Sequence, residues 1–510
     1  MLFIEARFFV FYAVVFCMAW TLRTNGARKV WLLACSHFFY ACFFIGPPVA
    51  FARAVMAGRW QHLPAGWWFP LVLMGSTCMD YAVGRGLGAA TATTARKGWL
   101  MVSLGVNLGV LCWFKYFNFF VVSAGAFLGW MGLPVSAHTL AIILPYGVSF
   151  YTFQSLSYTI EVYRRHIEPE RRFLDLAFFI SFFPQLVAGP IVRSMTFLPQ
   201  TKEARRWERV DARGALALFL TGYVKKACIA ETVAPYVDQY FAEAGRHTAL
   251  SGWLAVLLYA AQIYCDFSGY TDMAIATARL LGYELTVNFN FPYFSRSVAE
   301  FWRRWHVSLS TWLRDYLYIS LGGNRGSRWF TYRNLMLTMA LGGLWHGAAW
   351  GFVAWGAMHG VALVAHREWT RRRGVEWKRG HEPAPGGRDV EERNPARWLP
   401  TWGEAAGMAA TFYFVCLCWV WFRAPDFRTA VTVSRALLFF QGGGRERLAP
   451  WLWGLFAGLA VVHWLNWKRV FATWWRRGAD WVFATGYGAA FAVALLFAPQ
   501  HYSAFIYFRF

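Results

Sequence analysis

Apolar run follows apolar run along this chain of 510 residues, and only one long stretch, "REWTRRRGVEWKRGHEPAPGGRDVEERNPARW" from Arg367 to Trp398, is polar throughout. Each run is near the roughly 20 residues that a helix needs to cross a bilayer core. A soluble chain of this length would instead split into domains joined by polar linkers. Composition agrees: 57% of residues are hydrophobic and 15% charged, against about 45–50% and about 25% in ordinary soluble domains. The pattern predicts an all-α polytopic membrane protein, organised as a single membrane domain over 1–510 with a core at 139–366 and a polar cytoplasmic insert at 367–398.

Candidate spans fall at about 5–20, 30–52, 67–83, 99–113, 117–133, 139–161, 173–190, 213–232, 250–282, 333–346, 348–366, 403–422, 450–466 and 481–497. Several are short or interrupted, so roughly ten to twelve crossings with re-entrant pieces are expected. Pro184, Gly189 and Pro190 in "FFPQLVAGPIV" mark one break, because irregular backbone at membrane depth is tolerated only where protein or a wet cavity covers it. Met1 to Trp20 lacks a basic leading region and reads as the first span rather than a signal peptide.

The 50 basic and 27 acidic residues leave a formal charge of +23. Nucleic-acid binding is disfavoured, since the basic residues sit in short loops between spans and fit the positive-inside bias. Arg23, Arg28 and Lys29, then Lys202 to Arg209, then Arg367 to Arg379 are expected to face the cytoplasm, with the N-terminus outside. The nine cysteines lie in apolar stretches without a C-x-x-C pair, which indicates neither a disulfide framework nor a metal site. Walker A, G-x-S-x-G and H-E-x-x-H signatures are absent.

The polar residues inside apolar runs carry the functional information. His346 lies in "GGLWHGAAW", and an ionisable group within a span is a functional candidate by default. Gly342, Gly343 and Gly347 would let another backbone or a ligand approach it. His359, thirteen residues on, would stand about 140° away on an unbroken helix and reads as support or packing. Asp266 and Asp272 in "YCDFSGYTDMAI" are out of phase for a carboxylate dyad. Ser268–Gly269 is expected to break the helix there, with Asp272 complementing the new N-terminus; the role of Asp266 stays open. Lys225 and Lys226 read as snorkelling residues at a span edge.

Between the ninth and tenth runs stands "NFPYFSRSVAEFWRRWHVSLSTWLRDYLYISLGGNRG", Asn290 to Gly326. Ser297 and Glu300 read as a capping box. Phe301, Trp305, Leu309, Trp312 and Tyr316 then recur at three- and four-residue steps, with Arg303, Arg304, Arg314 and Asp315 largely elsewhere on the wheel. The expectation is an amphipathic helix on the membrane surface, stopped by Gly322, Gly323 and Gly326. His306 sits within it, either as an interfacial histidine or as the second half of a site with His346.

Together, "EFWRRWHVSLSTWLRDYLYISLGGNR", "LGGLWHGAAWGFVAWGAMHG", "YCDFSGYTDMAI", "ILPYGVSFYTFQSLSYTIEVYR", "FFPQLVAGPIVR" and the ending "FIYFRF" resemble the membrane-bound O-acyltransferase family, in its bacterial alginate O-acetyltransferase branch. The resemblance is densest between Leu144 and Gly360. It implies a ring of helices around a thinned centre, with a funnel from one side and a tunnel from the other. It matches the family's defining histidine to His346 and its second position to His306. It further implies transfer of acetyl groups from a cytoplasmic thioester donor, acetyl-CoA, toward an exported polysaccharide, together with a periplasmic partner of the SGNH serine-hydrolase-like class, at the bacterial inner membrane.

On that reading a neutral imidazole at His346 takes a proton from the acceptor hydroxyl, suited by an ordinary pKa of about 6.5; an acetyl-imidazole is the less favoured route. His306 orients or polarises the thioester. Arg303, Arg304 and Arg314 contact the CoA phosphates or, equally, lipid headgroups, and Trp305 and Trp345 line a dry passage. Alginate is the first acceptor to consider, with bacterial cellulose, another exopolysaccharide or peptidoglycan open. The rivals are a polymer or acyl transporter, which predicts charged pairs near the midplane and internal repeats, and a non-catalytic scaffold.

Overall fold

A computed structural model describes residues 1–46, 48–58, 63–133, 136, 138–374, 398–470, 476 and 478–498. Most of the polar insert and the ending "FIYFRF" lie outside the described residues. Those described form helices and no β-strand, with one isolated bridge between His247 and Glu446. Packing divides the chain into two compact units: Met1–Ala212 with Thr277–Thr286, and Arg213–Ala276 with Val287–Phe510.

In the first unit the helices are α1 (Ala6–Thr21), α2 (Asn25–Ala41), α3 (Pro48–Met56), α4 (Phe69–Ala89), α5 (Thr93–Leu111), α6 (Phe117–Trp130), α7 (Val148–Tyr163), α8 (Phe173–Ser181), α9 (Phe183–Leu186) and α10 (Ser194–Lys202). A π-helical stretch, Cys112–Tyr116, joins α5 to α6. Helix α7 is the centre: 14 of its 16 residues are buried, many of them polar. Polar groups at that depth need partners. Asp80 of α4, wholly buried, accepts from Ser103 Oγ at 2.8 Å and Asn107 Nδ2 at 3.0 Å, and Ser103 Oγ also meets Thr159 Oγ1 at 2.9 Å.

Two residues expected as loop charges are internal. Arg28 donates to the Ala19 carbonyl at 2.6 Å and its guanidinium lies over Trp20, while Lys29 forms a buried ion pair with Asp175. Both tie helices together rather than mark a membrane face. The break at Pro184, Gly189 and Pro190 is present: α8 stops at Ser181, α9 makes one turn, and the backbone runs irregularly to α10. Residues 181–192 are buried, as irregular backbone in an apolar setting requires.

The second unit holds α11 (Ala212–Tyr223), α12 (Glu231–Ala242), α13 (Ala249–Leu280) up to Ala276, α14 (Val298–Arg304), α15 (Val307–Trp312), α16 (Arg328–His346), α17 (Trp350–Arg372), α18 (Trp402–Arg423), α19 (Phe427–Phe439), α20 (Trp451–Trp467) and α21 (Asp480–Leu496). Here α13 runs unbroken through Ser268 and Gly269, contrary to the expected break. Gly269 serves a crossing instead. A Cβ on it would stand 2.7 Å from the Gly222 carbonyl oxygen, and one on Gly222 would stand 2.6 Å from that of Gly269. The crossing brings the π-helical turn Val224–Ala230 against α13. Lys225 Nζ then lies 2.7 Å from Asp272, and Lys226 Nζ lies 2.5 Å from Asp266 and 2.6 Å from Glu231. The two lysines therefore do not snorkel, and Asp272 answers a cation rather than a helix N-terminus.

Among the described residues, three helical runs are long and apolar enough to cross a membrane: Thr93–Trp130, α13 and α18. Helices α1 and α21 are apolar but shorter. The apolar window of α13 is 72% buried within the protein, that of Thr93–Trp130 only 22%. The latter's outward Trp113, Phe120, Phe127 and Trp130 are exposed, which suits lipid rather than water. The chain is a membrane protein built from helices.

Candidate active site

The two histidines in question stand at places where a helix ends. His346 is the last residue of α16, and the chain turns back at once into α17. Glycines let the two helices press together. A Cβ on Gly343 would come within 2.2 Å of the Phe352 carbonyl oxygen, and one on Gly356 within 2.2 Å of that of Met339. Gly347 lies under the Phe352 ring, where a Cβ would stand 2.1 Å from Cε2. These glycines thus serve a backbone crossing.

His306 occupies the break in what the periodicity suggests is one helix. Ser297 Oγ caps α14 by accepting from Glu300 N at 3.2 Å, but the Glu300 carboxylate reaches Arg296 N at 2.9 Å, so only half of the capping box forms. The helix ends at Arg304, and α15 begins at Val307. Between them His306 adopts φ 43°, ψ 53°, a left-handed conformation uncommon for a residue with a Cβ. Asn288 holds the turn. Its carbonyl accepts from Val307 N at 2.9 Å, and its Oδ1 accepts from Ser308 N at 3.1 Å and Ser308 Oγ at 2.9 Å. Strain kept by such bonds collects at functional positions. The aromatic face of this segment is also turned inward: Phe301, Trp305, Leu309, Trp312 and Tyr316 are all buried, so it packs against protein, not on a membrane surface.

The fold brings His306 and His346 together, ring centroids 6.2 Å apart and planes inclined at 50°. Trp345 borders both, at 6.0 Å from His306 and 5.0 Å from His346. Phe267 meets His306 edge-on at 4.7 Å, and Trp355 and Phe422 meet His346 at 5.1 and 5.4 Å. Trp305 stands one ring further out, at 5.0 Å from both Phe289 and Trp419. His306 is wholly buried and His346 is 2% exposed. Trp305 and Trp345, expected to line a passage, are themselves buried among these rings.

His359 is a supporting residue: Trp302 Nε1 donates to its Nδ1 at 3.3 Å, within a stack that includes Phe301 and Trp355. The angular estimate from His346 does not apply, since the helix breaks at Gly347. Of the three arginines, Arg304 pairs with Glu300 at 2.8 Å and Arg314 with its neighbour Asp315 at 2.6 Å, while Arg303 and Arg314 are exposed. Burial raises the Glu300 carboxyl, but the Arg296 N–H and the Arg304 and Arg296 guanidinium groups outweigh it and leave the pKa lowered.

Reasoning from sequence missed Asn288, Trp355, Trp419 and Phe422, which come from four separate stretches and give no local signal. It also missed the Lys226–Asp266–Glu231 cluster, where a signal exists: opposite charges within apolar runs have to meet one another.

A family model for membrane-bound O-acyltransferases matches residues 104–379. The chain is 39% identical over 444 residues to the probable alginate O-acetylase AlgI of Pseudomonas aeruginosa, covering 86% of this chain and 75% of that protein. It is 33% identical over 442 residues to the peptidoglycan O-acetyltransferase of Helicobacter pylori, covering 81% and 74%. Similarity to the teichoic acid D-alanyltransferase of Bacillus subtilis is 25% over 295 residues, or 55% of this chain and 69% of that protein.

Proposed function

The chain belongs to the membrane-bound O-acyltransferase family, and from that premise we propose that it takes acetyl groups from acetyl-CoA on the cytoplasmic side of the bacterial inner membrane and passes them outward to O-acetylate an exported polysaccharide, alginate first. The protein is an O-acyltransferase of the membrane; donor, direction, compartment and polymer are the proposal. The observation that carries it is the pairing of His306 with His346 inside a water-poor aromatic enclosure.

Chemistry follows from that pairing. At 6.2 Å between centroids, the two imidazoles can address one small group placed between them. His346, neutral, accepts the proton of an acceptor hydroxyl as its oxygen bonds to the thioester carbonyl carbon. The carbon–sulfur bond then breaks, and the proton passes from the imidazolium to the departing thiolate. His306 hydrogen-bonds the carbonyl oxygen as charge gathers there. Thioester to oxygen ester is not strongly uphill, so no ATP is needed. Reaction requires the wall of Trp345, Trp355 and Phe422 to part, and the donor's pantetheine arm is the natural wedge. Exposed Arg303 and Arg314 suit CoA phosphates or lipid headgroups, whereas Arg304, paired with Glu300, holds α14. A periplasmic partner of the SGNH class would complete transfer to sugar hydroxyls.

Peptidoglycan is the second acceptor to test, given the Helicobacter relative. Charged pairs of the kind a transporter predicts are present, but they neutralise one another within the protein. The test is complementation of a strain lacking this protein with wild type, His346→Ala and His306→Ala, followed by NMR of secreted polymer and analysis of the cell wall. Loss of polymer acetyl esters with normal protein level and export is expected. Wild-type acetylation with both variants would refute the site, and loss confined to peptidoglycan would reassign the acceptor.

A further inference from the structure

A polar cavity of about 580 Å3 lies in the first unit, where α4 and α7 end and α5 begins. Its lining includes Thr91, Arg96, Arg165, His166, Glu168 and Arg171. Three of these are arginines against one carboxylate, and two features say the arrangement is built rather than incidental.

The first is Arg96. It is 8% exposed and donates to three backbone carbonyls, of Leu87, Val162 (3.0 Å) and Tyr163 (2.8 Å), with its guanidinium 5.8 Å from the Tyr163 ring. Among the described residues, no carboxylate forms an ion pair with it. Those carbonyls, in the last turns of α4 and α7, answer part of its charge, and a cation this enclosed still gains from a full countercharge. Neighbouring acids are otherwise engaged: Glu161 holds His166 Nδ1 at 2.6 Å, and Glu170 pairs with Lys202 at 3.0 Å and accepts from Arg171 N at 2.9 Å.

The second is Arg165. Helix α7 closes with His166 N bonded to the Glu161 carbonyl and Arg165 N to that of Val162. This terminator places its penultimate residue in the left-handed region, where glycine is the favoured occupant. The chain has arginine there, at φ 63°, accepting the strain that a Cβ brings. The consequence is a guanidinium on the cavity wall, exposed beside Arg171.

We propose that this cavity binds a phosphate-bearing ligand, whose negative charge is shared by Arg96, Arg165 and Arg171. Arginine's planar donor fork matches phosphate oxygens. Glu168, on the same wall, opposes the anion and sets how tightly it is held. The same chemistry is offered by a phospholipid headgroup and by a free phosphate compound. The proposal does not rest on the acyl-transfer reading.

The test uses the purified full chain in a non-ionic detergent. Binding of dioctanoyl phosphatidylglycerol and of inorganic pyrophosphate is titrated by calorimetry for wild type, Arg165→Gly, Arg171→Gln and Glu168→Gln. Arg165→Gly relieves the left-handed strain, so its unfolding temperature should not fall while its affinity drops about tenfold or more. Arg171→Gln should weaken binding similarly, and Glu168→Gln should tighten it several-fold. Saturable binding of the lipid alone assigns a headgroup; saturable binding of pyrophosphate assigns a free phosphate compound. Absence of saturable binding by both probes, or unaltered affinity in both arginine variants, overturns the proposal.

Discussion

Replacing Lys226 by Met should be among the most damaging single changes outside the histidine site. Its ammonium lies 2.5 Å from Asp266 and 2.6 Å from Glu231, and the three side chains are only 3–6% exposed. Methionine keeps the volume and removes the ammonium that faces both buried carboxylates. Breaking a buried pair in this way costs about 3–5 kcal/mol. Lys225→Met should cost less, because Lys225 and Asp272 are each 19% exposed and water shares the remaining charge. Activity should fall with stability, since Asp266 adjoins Phe267, the ring set edge-on against His306 at 4.7 Å. The assay is thermal unfolding of detergent-purified protein at one scan rate, with acetyl transfer measured on the surviving fraction. The triple variant Lys226→Met, Asp266→Asn, Glu231→Gln should recover most of the loss, because neutral amides tolerate burial without a cation. Wild-type stability of Lys226→Met, or no recovery in the triple variant, would refute the reasoning.

Gly343→Ala puts a Cβ 2.2 Å from the Phe352 carbonyl oxygen and should cost about 1–3 kcal/mol as the hairpin parts; acetyl transfer should fall with it because His346 is one turn away, as paired melting and activity measurements would register. His359→Phe leaves Trp302 Nε1 without its acceptor, a loss of about 1–3 kcal/mol, yet the pH profile of transfer should keep its wild-type shape if His359 only supports the site. Glu300 has a lowered pKa in the fold, so its stabilising effect is complete above the unfolded value of about 4.3 and disappears as pH falls through the lower folded value. Melting curves from pH 6 to 3 should therefore lose less stability in Glu300→Gln than in wild type, and equal losses would argue against the Arg304 pairing.

What could be read from the residues was local or energetic. Helices announce themselves through apolar runs, the break at Pro184 and Pro190 through proline, and His346 through its isolation among Trp, Gly and Ala. The resemblance added His306 as its partner. Periodicity misled where the chain spends a strained residue: the aromatic repeat from Phe301 to Tyr316 reads as one surface helix, but His306 turns left-handed and carries that face into the protein. Gly269 misled in the opposite sense, since a glycine that suggests a break also permits a close crossing, and the difference is made by Gly222, forty-seven positions earlier. Asn288 gives no signal at all, because its worth lies in the turn it meets. The lysines at 225 and 226 were legible in principle, through the rule that charges in apolar runs seek opposite charges.

The account stands on the two imidazoles, now enclosed, receiving an acetyl group when the aromatic wall opens. Its most direct measurement is transfer of [13C]acetyl from acetyl-CoA by the full chain in proteoliposomes, with donor on one side and the acceptor hydroxyl on the other, for wild type, His306→Ala and His346→Ala. The account predicts label appearing across the membrane with wild type and falling at least about a hundredfold with His346→Ala, with intact folding by melting temperature. Undiminished transfer by His346→Ala would contradict it.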